Sequence, residues 1–142
     1  MKIIDTKPFP ASREYDEIIN IPLYKICKVK QIVNLSNYKN IIFQSPSAVI
    51  NFDQINLIED KRIIAMGPGT SNHLRKHGYV AEIPDTEYSS EGVINLMNKS
   101  GVTGKTLVIK GEGGLSIISE YLNSASLKAD ELNTYNLSLI HI

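Results

Sequence analysis

The 142-residue chain has one cysteine, no tryptophan and no surplus of either charge. A lone thiol, Cys27, excludes an internal disulfide and cannot build a cysteine-based structural zinc site. It sits in the apolar run Leu23-Tyr24-Lys25-Ile26-Cys27, which reads as the setting of a structural thiol rather than a nucleophile. Fifteen Lys+Arg balance fifteen Asp+Glu, so the electrostatic footprint of a general nucleic-acid binder is missing. A local basic pocket for a small anion remains open. No apolar run approaches the roughly 20 residues that span a bilayer. The opening Met1-Lys2-Ile3-Ile4-Asp5 meets an acid too early for a signal peptide. These absences predict a cytoplasmic chain with no membrane and no nucleic-acid partner.

The 42% of hydrophobic residues is enough for a buried core, which excludes wholesale disorder. From Asn40 onward, short β-branched runs alternate with segments of helical period. Ile41-Ile42-Phe43 is followed by Ser45, which fits an N-cap, and Pro46, which fits the first helical position. Arg62-Ile63-Ile64-Ala65-Met66 breaks at Gly67-Pro68-Gly69 and enters a short helix near Thr70 that stops at His77-Gly78. Tyr79 to Ile83 reads as a third strand. Ser89 or Ser90 caps the next helix, with Val93, Leu96 and Met97 on its buried face. Thr106-Leu107-Val108-Ile109 is a fully apolar fourth strand. Leu115, Ile118, Tyr121 and Leu122 mark a fourth helix, and Ala129 to Tyr135 a last strand. Continuous apolar strands separated by helices predict a parallel sheet covered on both faces. The fold expected for residues 36–135 is a complete, flavodoxin-like, doubly wound α/β domain. Residues 1–26 stand outside this rhythm, with Pro8 and Pro10 opposing a full crossover helix. They read as the N-terminal segment of an incomplete first α/β domain, with 27–35 as linker and 136–142 as a truncated or non-native end.

In an open α/β sheet, ligands bind beyond the carboxyl ends of the strands. Three loops leave those ends: Gln44-Ser45-Pro46-Ser47, Gly67-Pro68-Gly69-Thr70 and Gly111-Glu112-Gly113-Gly114. Each joins a small residue to a helix start, where free backbone N–H groups suit an anion. Ordinary turns and caps have the same composition, so each loop alone is weak; three at one edge suggest an anion-binding rim. No dinucleotide or Walker loop is present. His73 and His77 have the spacing of a metal pair but lack the intervening glutamate and a third ligand, so they read as solvated residues. Tyr135 closes the last strand at the same edge, where a phenol can give a proton to a leaving hydroxyl or simply cover the sheet end.

Taken in order, these loops resemble the uroporphyrinogen-III synthase family. The stretches that carry the likeness are Ile41 to Val49, Ile64 to Thr70, Gly78-Tyr79, Tyr88-Ser89-Ser90-Glu91-Gly92, Leu107 to Gly114 and the strand ending at Tyr135. Thr6-Lys7-Pro8 and Ile21-Pro22-Leu23 resemble the family's opening turn and second strand. The resemblance implies two flavodoxin-like domains joined by a two-stranded connection, with the site in the cleft between them. It implies a lyase that needs no cofactor and no metal, expected as a monomer when complete. The reaction would cyclise hydroxymethylbilane, a linear tetrapyrrole, to uroporphyrinogen III with loss of water and inversion of ring D. By family match Tyr135 is the proton donor, and Thr6, Lys7, Ser45, Ser47, Gly67, Gly69, Thr70, Ser90, Lys110 and Gly111 bind substrate. Lys7 and Lys110 stand where arginine is usual, keeping charge while losing bidentate carboxylate binding. Since this chain holds mainly one domain, it is expected to be inactive or nearly so alone. The reading from another class is a non-catalytic α/β module that binds an anion or a partner along a free strand edge.

Overall fold

The computed structural model describes residues 23–140. Thr6, Lys7 and the opening strands anticipated in residues 1–22 lie outside them. Five strands form one sheet in the order β1-β5-β4-β2-β3. They are β1 (Leu23–Lys28), β2 (Asn40–Phe43), β3 (Arg62–Ala65), β4 (Thr106–Gly111) and β5 (Ala129–Ile140). The four from β3 to β5 are parallel, while β1 runs antiparallel to β5.

The central residues of the parallel strands β2, β3 and β4 are apolar in succession because both faces are covered. Ile41, Phe43, Ile63, Ala65, Leu107 and Ile109 turn to one face. There they meet Ala48 and Val49 of α1 (Pro46–Ile50) and Leu74 of α2 (Pro68–Lys76). Ile42, Ile64 and Val108 turn to the other. They meet Val93 and Met97 of α3 (Ser90–Ser100) and Ile118 and Leu122 of α4 (Ile117–Ser124). Alternation along each strand thus feeds two cores, the expected doubly wound arrangement. The helix starts follow local rules. Ser45 and Ser89 each accept a hydrogen bond from the N–H three residues on, Ala48 and Gly92.

Three expectations are corrected. The third strand at Tyr79–Ile83 is reduced to a single parallel bridge between Glu82 and Ile64. In a flavodoxin-like order it would lie beside β2, but both edges of β2 are taken, by β3 and by β4. The segment is left outside β3, and Pro84 has no N–H with which to extend the ladder. Second, the proposed linker boundary after residue 26 cuts through β1. Third, the last strand does not stop at Tyr135 but runs on through residues 136–140. They continue β5 and pair with β1 in a regular register from Lys28 opposite Tyr135 to Leu23 opposite Ile140. The alternation Leu137-Ser138-Leu139-Ile140 supports such a strand, and its partner lies at the other end of the sequence.

At the amino edge of the sheet, Tyr38 donates to Asp130 at 2.6 Å and the Lys105 ammonium lies 2.9 Å from the same carboxylate. Burial, and then the hydrogen bond and charge of Asp130, push the Tyr38 phenol up to about 12. The Tyr38 hydrogen bond, followed by that of Lys105, holds the Asp130 carboxyl below its ordinary value. A depressed carboxyl stabilises the fold above its unfolded value, near 3.8, and that contribution is lost as pH falls through the folded value. Asp130→Asn is therefore expected to flatten the acid limb below about pH 4, read from urea midpoints across pH. An unchanged acid limb would contradict the role of this cluster.

Candidate functional site

The helices after β2 and β4 leave in opposite directions. Leaving β2, the chain enters α1 on one face; leaving β4, it enters α4 on the other. Because β2 and β4 are neighbours, their carboxyl ends diverge into a crevice, where open α/β sheets bind ligands. The loop 44–47 forms one side and the glycine-rich loop 111–114 the other. Gln44 spans the gap, its Nε2 donating to the Leu115 carbonyl at 3.4 Å.

Tyr135 reaches this crevice through a fault in the ladder. Lys110 pairs with Asn133, but Gly111 pairs with Tyr135, so Thr134 is an extra residue on β5. The bulge turns Thr134 under α1, where its Oγ1 donates to the Ala48 carbonyl at 3.3 Å. It delivers the phenol to Ser45, with 2.9 Å between Tyr135 Oη and Ser45 Oγ. The ring lies on Gly111, where a Cβ would sit 2.5 Å from Cζ and 2.9 Å from Oη. A side chain at Gly111 would have to push the ring aside. The Glu112 N–H donates to the Tyr135 carbonyl at 2.8 Å, pinning loop to strand.

Of the residues anticipated from sequence, the fold brings Ser45, Gly111 and Tyr135 into contact. Ser47 is half-buried in the first turn of α1. Gly67 caps α2, and Gly69 adjoins Pro46, so the rim continues sideways. Thr70 and Ser90 are 3% and 6% exposed, which leaves backbone N–H groups rather than hydroxyls as what the starts of α2 and α3 offer.

Lys110 is a correction. It shares the face of Val108, turned toward α4, and is only 4% exposed. Its ammonium donates to the Gly111 and Gly114 carbonyls at 3.3 and 3.2 Å and lies 3.7 Å from Glu131. It therefore ties the glycine-rich loop down from within instead of reaching a ligand on the rim. Burial pushes the Glu131 carboxyl up, but hydrogen bonds from Ser119 and Ser116 and the Lys110 charge outweigh this, so it stays below its ordinary value. Removing the ammonium would strand both the carbonyls and the carboxylate. Lys110→Met is expected to cost about 2 kcal/mol in urea denaturation. A variant of parental stability would show that Lys110 does not hold the loop.

Sequence reasoning missed Glu131 and Asn133, and had Gln44 only as a member of its loop. Gln44 was adjacent to a predicted cap, and the two-residue spacing of Glu131 and Asn133 places them on one side of β5 before the bulge. Asn133 Oδ1 is buried without a hydrogen-bond partner, just before the bulge. Among the described residues no group of three His, Cys, Asp or Glu side chains could hold a metal. No described helix is long and apolar enough to cross a membrane.

A family described as "Uroporphyrinogen-III synthase HemD" matches residues 16–141. The fold is similar to uroporphyrinogen-III synthetase from Helicobacter pylori 26695, with a TM-score of 0.61 and 16% identity over 84% of this chain and 55% of that one. It is similar also to a mutant uroporphyrinogen III synthase from Thermus thermophilus, with a TM-score of 0.60 and 11% identity over 82% of this chain and 52% of that one. The wild-type Thermus enzyme aligns with a TM-score of 0.55 and 12% identity, over 74% of this chain and 44% of the other. The chain thus spans about half the length of these structures. No curated protein matches it.

Proposed function

The chain belongs to the uroporphyrinogen-III synthase family, and on that premise we propose that its crevice takes hydroxymethylbilane and forms uroporphyrinogen III. The observation that carries this reading is the meeting of Ser45, Gly111 and Tyr135 at the point where the sheet's connections reverse. In this reading the described residues form one wall of the cleft. The antiparallel ribbon of β1 and the end of β5 is the two-stranded connection to the other wall.

The chemistry asks little of the protein beyond placement and one proton. Tyr135 protonates the departing hydroxyl, and the C–O pair leaves with it as water. The pyrrole nitrogen lone pair fills the carbon, giving an azafulvenium ion. Ring D attacks through its substituted carbon, and the spiro intermediate fragments and recloses inverted. The proton shed from the free carbon of ring D balances the one that Tyr135 gave. N–H groups of the loops and of the α2 start hold the acetate and propionate carboxylates, and the folded pose favours the inverted closure. No nucleophile, metal or cofactor is required for these steps. We place the protein in the cytoplasm, acting on this tetrapyrrole and expected as a monomer when complete.

The test supplies hydroxymethylbilane and separates the isomers chromatographically. Type III product above the spontaneous type I background is expected once the second wall is supplied, with little or none from this chain alone. Type I product only, even with that wall and with hydroxymethylbilane still bound, would favour an anion-binding module instead.

A further inference from the structure

The hydroxyl 2.9 Å from the phenol is held as carefully as the phenol itself. Ser45 Oγ accepts the Ala48 N–H at 3.2 Å, which fixes its rotamer and occupies one of its two lone pairs. It has one proton left to give. The Tyr135 oxygen lies within reach, and Ser45 is its hydrogen-bond partner among the described residues. Gly111 closes the side beneath the ring. Two arrangements satisfy this contact. If Tyr135 donates to Ser45, the phenolic proton is committed to the protein. If Ser45 donates to Tyr135, that proton is left to point into the crevice.

We infer that Ser45 is the donor and serves as the positioning residue for the acid, holding the phenolate oxygen once its proton has gone. The inference rests on the synthase reading for its chemical purpose and on the geometry for its content. When the Tyr135 O–H bond breaks and the proton joins the leaving hydroxyl, negative charge appears on Oη. At that moment only a donor can remain as its neighbour. A hydrogen bond to an ionised oxygen is about twice as strong as a neutral one, so the Ser45 contact tightens as the transition state forms. Ser45 moves from the substrate contacts, where its motif had placed it, to the support of Tyr135. Its cap on α1 is the means, because the Ala48 N–H holds Oγ in place and takes up one of its lone pairs.

Two measurements test this. The first needs no substrate: the tyrosine Raman doublet near 850 and 830 cm⁻¹ reports whether a phenol accepts or donates. The Tyr135 contribution is isolated by subtracting the Tyr135→Phe spectrum. Acceptor character is expected, changing to that of a solvated phenol in Ser45→Gly. Donor character in the parent protein would overturn the inference whatever the catalytic outcome.

The second measurement is turnover of hydroxymethylbilane. Glycine caps helices nearly as well as serine, so Ser45→Gly removes the hydroxyl with little loss of fold. It is expected to lower kcat roughly tenfold with KM unchanged, and Ser45→Thr, which keeps a hydroxyl and a cap, to restore most of it. A rise in KM at constant kcat would make Ser45 a substrate contact and overturn the inference. If the parent makes no type III isomer even with the second wall supplied, the synthase reading fails by itself, and the Raman result still decides how the pair is wired.

Discussion

Tyr135→Phe is expected to lower turnover of hydroxymethylbilane roughly 100-fold or more while leaving KM close to the parent value. The change removes one oxygen and keeps the ring, so Gly111 and the β5 bulge stay packed as they are. On the proposed role, what disappears is the proton delivered to the leaving hydroxyl, an interaction made only as the C–O bond breaks. A loss confined to kcat is the mark of such a group. The structural cost is the hydrogen bond with Ser45, worth about 1 kcal/mol, so urea midpoints separate a missing acid from a weakened fold. Turnover within threefold of the parent would remove Tyr135 from the chemistry. The crevice would then be a place that binds and folds the substrate, with the proton coming from solvent.

Gly92→Ala is expected to destabilise the protein by about 3 kcal/mol, against the sign that helix propensity suggests. On an exposed helix the change would gain about 1 kcal/mol. Here a Cβ would stand 1.9 Å from the Glu87 carbonyl oxygen and 3.2 Å from its Cγ. The blocking atom is backbone, which cannot rotate aside, so either the loop before α3 or α3 itself must shift. Shifting α3 displaces Val93 and Met97, both within the core on that face of the sheet. The overlap outweighs the propensity gain. Chemical denaturation decides it: a variant as stable as the parent would mean that the approach of Glu87 relaxes at little cost. The sequence had shown Gly92 only as part of a capped helix start. Nothing local betrayed the carbonyl above it.

The same division runs through the site. The Ser45 cap, Pro46 at the first helical position and the apolar runs of β2 and β4 were all legible, because each depends on neighbours within a few residues. The alternation along β4 also contained a clue that the loop reading passed over. Lys110 follows Val108 by two positions, so it faces α4 and not the rim. Its partners Glu131 and Ser119 come from later elements, and sequence alone could not pair them. The strand at Tyr79–Ile83 failed for a related reason. Its composition suits a strand, but β4 had taken the place beside β2, and on the outer edge of β3 only Glu82 pairs before Pro84 ends the ladder.

By itself, then, the sequence determined an α/β chain with two helical layers over a parallel sheet. It also placed small-residue loops and a tyrosine of the last strand at the carboxyl edge, since periodicity, caps and turn residues act over short range. Only the tertiary structure decided that Cys27 and Ser138, 111 positions apart, lie side by side in the β1–β5 ribbon. It alone set Tyr135 on Gly111 and against Ser45, and turned Lys110 inward. Those outcomes depend on strand pairing and on one extra residue in β5. Backbone hydrogen bonds between strands carry no local sequence code, so distant segments find their register only when the whole sheet assembles.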